Sequence, residues 1–248
     1  MTSQSWNAEE YAKHASFVAE LTDDVLRLLN PKSMEKILDL GCGDGRLTRR
    51  LKESECEVLG VDGSMAMVKQ AASLGVPALV MDGHELTFEE EFDAVFSNAA
   101  LDWMTRPEKV VNGVHRALKP RGRFVAEFGG AGNTNKIMTV IKKKMKHLGQ
   151  KDFQLPWYFP TTDEYGALLE DNGFKVDKIE LVERPTPLDS GMSKWLELFT
   201  AGITKMLSEN DRKHFLKDVL QELKPVLYDE EKGWWADYVR LRVRAIKN

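Results

Sequence analysis

The sequence predicts an α/β fold. It is a doubly wound sheet of seven strands, mostly parallel with the last antiparallel, and a helical cap is inserted between the last two strands. Three observations predict it. Short apolar segments alternate with amphipathic ones through the first half of the chain, the pattern of βα units whose parallel sheet carries helices on both faces. The first apolar segment runs straight into a glycine-rich turn, "KILDLGCGDGRLT". Beyond residue 128 the alternation gives way to longer amphipathic stretches, two of which have period-two patterning.

Residues 9–29 read as a helix, because Val18, Leu21, Val25, Leu28 and Leu29 recur at three- and four-residue steps; "NPKS" then breaks it. Five strands follow: "KILDLG", "CEVLGVD" (56–62), "PALVMD" (77–82), "FDAVFSN" (92–98) and "GRFVAEF" (122–128). They are apolar throughout because both faces of such a sheet are covered. Helices separate them near 46–53, 64–73 and 107–118.

"GNTNKIMTVIKKKMKHLG" reads as an amphipathic helix, with Ile137, Ile141, Met145 and Leu148 on one stripe and lysines opposite. "TTDEYGALLEDNGF" is a helix capped by Thr161 or Thr162 and ended by Gly173. "KVDKIELVER" reads as the sixth strand, 190–227 as helix in two pieces, and "WWADYVRLRVRAIK" as the closing strand. No linker marks off a second domain. Residues 1–248 are expected to be one domain, with a helical lid at 1–32, a ligand-binding core at 33–130 and a cap at 190–231 that covers the sheet.

Composition narrows the function classes. A net charge of −4 argues against a general nucleic-acid binder, which needs a basic surface. No apolar run is long enough to span a membrane, and the N-terminus lacks the charged flank and apolar block of a signal peptide. The two cysteines, Cys42 and Cys56, have neither metal nor redox spacing, and five scattered histidines build no zinc site. The expectation is a reduced, cytoplasmic protein without a metal.

Open parallel sheets bind ligands at the carboxyl ends of their strands, where the strand order reverses. Gly41, Gly43 and Gly45 follow the first strand at once, so the backbone can turn tightly and approach a ligand where a Cβ would collide. The next helix starts there, and its free amides are expected to point at the ligand. A dinucleotide loop would have G-x-G-x-x-G spacing, but the last glycine position is Arg46, and the spacing present is G-x-G-x-G.

The neighbouring strand tips are polar. Asp62 ends the second strand, 17 residues after Gly45, where a carboxylate accepts both hydroxyls of a ribose. Asp82 ends the third strand, where an acid accepts from an adenine amino group, and Asn98 ends the fourth. Asp39, just before the loop, would repel a pyrophosphate but not a cationic amino acid. A nucleoside joined to an amino acid through a sulfonium suits this set of acids.

At these residues the chain resembles the class I S-adenosylmethionine-dependent methyltransferases, with a type 11/25 methyltransferase domain. "ILDLGCGDG" matches their first motif, "GVDGS" the second-strand acid, "MDG" the third, and "LKPRGRF" the start of the fifth strand. The flanking segments "WNAEEYAKHASFV", "SNAALDW", "PWYFPTTDEYGALLEDNGF" and "ADYVRLRVRAIK" resemble the trans-aconitate methyltransferase group, which methylates carboxylates of small acids. The malonyl-carrier-protein methyltransferases are similar in layout.

The resemblance implies a Rossmann-like methyltransferase fold with S-adenosyl-L-methionine as cofactor. It puts Tyr11, His14, Cys42, Gly63, Met65 and Gly83 beside Asp39, Gly41, Gly43, Asp62, Asp82 and Asn98 in the cofactor site.

On the acceptor side, Trp103 is expected to face the methyl group, Arg184 to clamp a substrate carboxylate, and Trp195 to sit in the cap. Trp157, Tyr158 and Phe159 either line the substrate mouth or pack, and His115 is structural. Methyl transfer is an in-line displacement. A carboxylate nucleophile is ionised at pH 7 and needs no base, so none is assigned; an amine, phenol or carbon nucleophile would need one, and the candidates are His14, His84 and Asp102.

Arg240 and Arg242 share a face of the last strand, read as solvated. "KKKMK" (142–146) is the wet side of its helix, or else a docking patch for an acidic carrier protein. The rival classes are a nicotinamide-dependent oxidoreductase, opposed by the glycine spacing and Asp39, and a non-catalytic nucleoside-binding regulator.

Overall fold

The computed structural model describes residues 22–150 and 155–248. They divide into two compact units. The larger contains residues 22–131, 157–182 and 240–248; the smaller contains 132–150, 155–156 and 183–239.

In chain order, the elements of the first half are α1 (Asp23–Leu29), β1 (Lys36–Leu40), α2 (Arg46–Lys52), β2 (Glu57–Asp62), α3 (Met65–Ser73), β3 (Ala78–Val80), β4 (Phe92–Asn98), α4 (Pro107–Ala117) and β5 (Leu118–Gly129). Then come α5 (Asn135–His147), α6 (Thr162–Asp171), β6 (Phe174–Pro187), α7 (Gly191–Phe199), α8 (Ala201–Thr204), α9 (Glu209–Leu227), β7 (Tyr228–Asp229) and β8 (Gly233–Lys247).

The strands form one sheet in the order β3-β2-β1-β4-β5-β8-β6. Strands β1 to β5 pair in parallel, and β8 runs antiparallel to β5. This is the expected α/β doubly wound sheet with an antiparallel last strand. The two-residue β7, which pairs with the start of β8, is an addition. From β1 the chain steps outward to β2 and β3, then returns to β4 and moves outward the other way to β5. The order therefore reverses between β1 and β4, which is where such sheets open a ligand crevice.

Successive strand residues point to opposite faces. Ile37 enters a core with Val25, Leu29, Leu51, Val58 and Phe96, whereas Leu38 and Leu40 enter another with Val61, Val95, Val110, Val111 and Phe124. A strand buried on both faces has no room for polar side chains except toward its ends, and at the carboxyl ends of β1, β2 and β4 these are Asp39, Asp62, Ser97 and Asn98.

Among the described residues the helix signals held with small shifts; of the helix expected over 9–29, residues 9–21 lie outside them. Thr161 caps α6 in a reciprocal box with Glu164, and Ser64 caps α3 through Met67 N–H. Leu148 differs: α5 ends at His147, and Leu148 lies past its last turn, 45% exposed and off the stripe of Ile137, Ile141 and Met145. Residues 190–227 form three helices rather than two. The break falls at Thr200, whose buried hydroxyl bonds back to Leu196 O at 2.6 Å, and α9 restarts with Ser208 as its cap.

Within the smaller unit α5 packs on α9, and Lys143 and Lys144 both pair with Glu222. No described helix is long and apolar enough to cross a membrane.

Candidate active site

Asp39, near the end of β1, is 2% exposed, and its Oδ2 accepts from the Thr48 hydroxyl at 2.6 Å. Burial pushes its carboxyl up to about 7; the Thr48 bond opposes this and the nearby Asp62 charge adds to it. Asp39 thus ties β1 to α2 and places an acid that titrates around neutral pH below the glycine loop.

The amides of the loop itself, before the helix, are mostly engaged. The N–H groups of Gly41 and Cys42 both reach Val61 O, at 2.8 and 3.0 Å. Gly43 N–H donates to Asp62 Oδ2 at 3.0 Å, Gly45 N–H to Cys42 O at 3.1 Å, and Arg46 N–H to Asp44 Oδ1 at 3.2 Å. The left-handed turns at Gly41, Gly43 and Gly45 fold the loop back onto β2, whose last carbonyl and carboxylate consume its donors. A loop with its amides spent and acids beneath it presents acceptors, which is the wrong chemistry for a pyrophosphate.

Asp62 ends β2. Its Oδ1 accepts from Ser64 N–H at 2.8 Å, and burial raises its pKa against the two backbone bonds. A Cβ on Gly43 or Gly63 would meet nothing within 4 Å, so the chain leaves space beside Asp62. Gly41 is the opposite case: a Cβ there would lie 2.3 Å from the Ala100 Cβ, so the loop after β4 rests directly on the glycine turn.

Cys42 points inward, its sulfur against Gly60, and burial drives its thiol pKa up. Met65 opens α3 and is 55% exposed.

Asp82 follows β3 and is already engaged. Its Oδ1 accepts from His84 N–H at 2.9 Å and lies 2.6 Å from His84 Nδ1. Desolvation raises this carboxyl, but the bonds to His84 outweigh it and hold the pKa below the ordinary value. His84 Nε2 is buried and has no hydrogen-bond partner. Gly83 is buried beneath Met104, whose sulfur would stand 2.6 Å from a Cβ at that position. Met104 gave no signal in the sequence, yet it joins the turn after β3 to the loop after β4.

Asn98 ends β4, half-buried, and Ser97 beside it donates to Leu40 O at 2.7 Å, tying the tips of β4 and β1. Ala99 adopts φ +53°, a left-handed conformation that a non-glycine residue enters only under constraint; its N–H bonds Glu127 O at 2.7 Å.

The single turn Leu101–Trp103 follows. Trp103 is half-buried and meets Trp157 edge-on at 5.4 Å, and Trp157 stacks on Phe159 at 6.0 Å. Asp102 is buried; burial raises its carboxyl to about 6 despite the Arg240 charge nearby.

Arg240 and Arg242 are each 8% exposed, which corrects their reading as a solvated face. Strand β6 flanks β8 and closes it off, and Arg242 reaches Glu127 across β5. His115 packs edge-on against Phe174, as a structural residue does.

In the smaller unit, Arg184 is half-buried within β6. Trp195 is 7% exposed, packs against Phe199, and donates its indole N–H to the Tyr238 hydroxyl. That is a packing position rather than an open aromatic wall, because both its ring and its donor are taken up inside the unit. Tyr11 and His14 lie outside the described residues.

The family model described as a methyltransferase domain matches residues 38–126. An uncharacterised methyltransferase of Schizosaccharomyces pombe is 37% identical over 268 residues, covering 100% of this chain and 100% of that one. The trans-aconitate 2-methyltransferase of Deinococcus radiodurans is 28% identical over 121 residues, 48% of this chain and 47% of that one. Among solved structures, the YcgJ protein of Bacillus subtilis superposes with a TM-score of 0.64 at 18% identity, covering 94% of this chain and 99% of that one, a likeness of fold. The match of identity and length to the fission-yeast protein, on a sheet whose crevice carries these acids around this glycine loop, means that the chain belongs to the class I S-adenosylmethionine-dependent methyltransferases.

Proposed function

We propose that this enzyme methylates a free small molecule, at a carboxylate oxygen. The observation that carries the reading is the division of the sheet's carboxyl edge about its switch point. Asp39, Asp62 and Asp82 lie on the β1-β2-β3 side, while Asp102, Trp103 and Arg240 belong to the β4-β5-β8 side. One half is suited to a cationic nucleoside and the other to a second, different molecule.

The cofactor half fits S-adenosylmethionine by its chemistry. Carboxylates rather than amides surround the space beside Gly43 and Gly63. Asp62 would hold the ribose hydroxyls, Asp82 and Gly83 the adenine, and Gly41, Cys42, Gly43 and Asn98 would border the amino-acid end, with Gly63 and Met65 flanking the sugar. Asp39 would complement the positive charge from below. When bound, the cofactor supplies a methyl group already activated by its sulfonium.

The protein's work is then alignment and exclusion of water. Trp103, braced by Trp157, would wall the acceptor space. An ionised carboxylate needs no proton removed, so no base is invoked. Similarity to the trans-aconitate 2-methyltransferase supports a carboxylate acceptor. A free acid is favoured over a carrier-bound one because Lys143 and Lys144 of the basic run already pair with Glu222.

Two measurements test the proposal. Calorimetry should show binding of S-adenosylmethionine and S-adenosylhomocysteine but not NAD. A panel of di- and tricarboxylic acids, incubated with the methyl donor, should yield a product that releases methanol in mild alkali. An alkali-stable methylated product would transfer the reading to an amine, phenol or carbon nucleophile.

A further inference from the structure

Two buried acids face the arginines of the last strand in different ways. Arg240 and Arg242 alternate along β8, so they face the same side, opposite Gly129 and Glu127 of β5. The inner pair is closed. Arg242 Nε and Nη2 both reach Glu127 Oε2 at 2.7 Å, and Asp24 and Glu180 lie further out at 3.6 and 3.7 Å.

At the carboxyl edge the neighbouring acid is Asp102, which feels the Arg240 charge. Asp102 is 6% exposed, and its charge is felt by Arg240 and by the backbone N–H groups of Asp102 and Gly129. Its Oδ1 is fully buried and has no hydrogen-bond partner.

A buried carboxylate oxygen left without a donor is costly, and proteins complete such groups internally where the role is structural. Glu127 is completed in that way one rung below. Asp102 differs in place. It sits at the tip of β4, next to Trp103, whose ring and that of Trp157 form an apolar wall, and Tyr158 N–H holds its backbone carbonyl at 2.8 Å. The backbone of the turn is fixed, while Asp102 Oδ1 finds no donor among the described residues.

We propose that Asp102 Oδ1 selects the methyl acceptor by taking a hydrogen bond from a hydroxyl or N–H group that the acceptor carries close to the methylated atom. Arg240 is its positioning residue, keeping the carboxylate charged and in place. On the reading of a carboxylate nucleophile, on which this rests, the substrate class narrows to small acids bearing a neighbouring hydroxyl or amino group.

The test uses matched acceptors that differ by one hydroxyl: malate against succinate, citrate against tricarballylate, and catechol against phenol. Each is titrated by calorimetry into full-length enzyme saturated with S-adenosylhomocysteine. In at least one pair the hydroxylated member should bind about 10- to 100-fold more tightly. That preference should vanish in Asp102→Ala while affinity for S-adenosylhomocysteine is unchanged.

Because Asp102→Ala removes an acid that the buried Arg240 charge feels, Asp102→Ala with Arg240→Leu is the second variant, and it should lose the preference equally. Arg240→Lys, which keeps the charge, should retain it. Equal binding of both members in every pair, a preference that survives Asp102→Ala, or no binding by any member would overturn the proposal. Discrimination confined to the catechol pair would keep Asp102 and discard the carboxylate nucleophile. Acids that bind and are esterified without discrimination would do the reverse.

Discussion

Asp39→Asn is expected to stabilise the protein at neutral and alkaline pH while weakening its hold on the methyl donor. The carboxyl is 2% exposed, and its pKa is raised from 3.8 to about 7, first by burial and then by the Asp62 charge, against the hydrogen bond from Thr48. An acid that grips its proton more tightly when folded favours folding at low pH. Its contribution is complete below about pH 4, is lost as pH rises from about 4 to about 7, and is constant above.

One unit of pKa is worth about 1.4 kcal/mol, so a shift of about three units sets a ceiling of about 4 kcal/mol on the stability forfeited by pH 8. Asparagine does not titrate, and its amide oxygen can still accept from Thr48. Its NH₂ group must find a buried partner, and failure costs about 1–3 kcal/mol. The net gain at pH 8 is therefore about 1–3 kcal/mol. Urea unfolding of both proteins at pH 5 and pH 8 reads it, because the difference between them cancels every other titrating group. Calorimetry should show affinity for S-adenosylmethionine reduced by more than that for S-adenosylhomocysteine, which lacks the sulfonium charge. If the variant's stability relative to the parent is the same at both pH values, Asp39 is ionised in the fold and the reasoning fails.

Gly41→Ala places a methyl 2.3 Å from the Ala100 Cβ at φ +77°, so it should cost about 2 kcal/mol or more and lower the melting temperature; an unchanged melting curve would mean that the loop after β4 is not seated on the turn. Asp62→Ala should weaken S-adenosylmethionine by about 1.5–3 kcal/mol in calorimetry, the range for a hydrogen bond to a charged group, and an unaltered affinity would move the ribose site elsewhere. Trp103→Ala should raise the acceptor KM with little change in S-adenosylhomocysteine affinity; equal losses in both, with a lower melting temperature, would mark it as a packing residue.

Much of the large unit was legible because its signals are local. Each of β1 to β5 has an apolar centre, and runs buried on both faces leave their polarity toward the ends. The helix caps at Ser64 and Thr161 are equally local, being set by residues three apart. What was not legible depends on which segments meet. The amides of Gly41, Cys42 and Gly43 bond Val61 and Asp62, a pairing set by the register of β1 against β2. The period of the α5 stripe extended to Leu148, but period does not say where the helix stops, and it stops at His147. Trp195 was placed among inserted helices, yet nothing in those helices showed that Tyr238, 43 residues later, would take its N–H.

The same limit separates Glu127 from Asp102, and it bears most on function. Both are acids beside apolar runs, and both lie in the large unit against arginines of one strand. Alternation along β8 put Arg240 and Arg242 on a shared face, but a shared face can be wet or dry, and only the neighbouring strands decide. With β5 on one side and β6 on the other, the face is dry, so each arginine needs an internal carboxylate. Register then gives them different partners. Arg242, opposite Glu127, finds an acid on the adjoining strand and closes on it within the sheet. Arg240, opposite Gly129, finds no side chain on the adjoining rung, and the acid that feels its charge is Asp102, in the turn beyond β4. A strand partner is fixed by the ladder, whereas an acid in a turn at the carboxyl edge is not. One rung of the sheet thus separates a closed ion pair from a buried acid with an oxygen to spare, at the edge where the acceptor is expected.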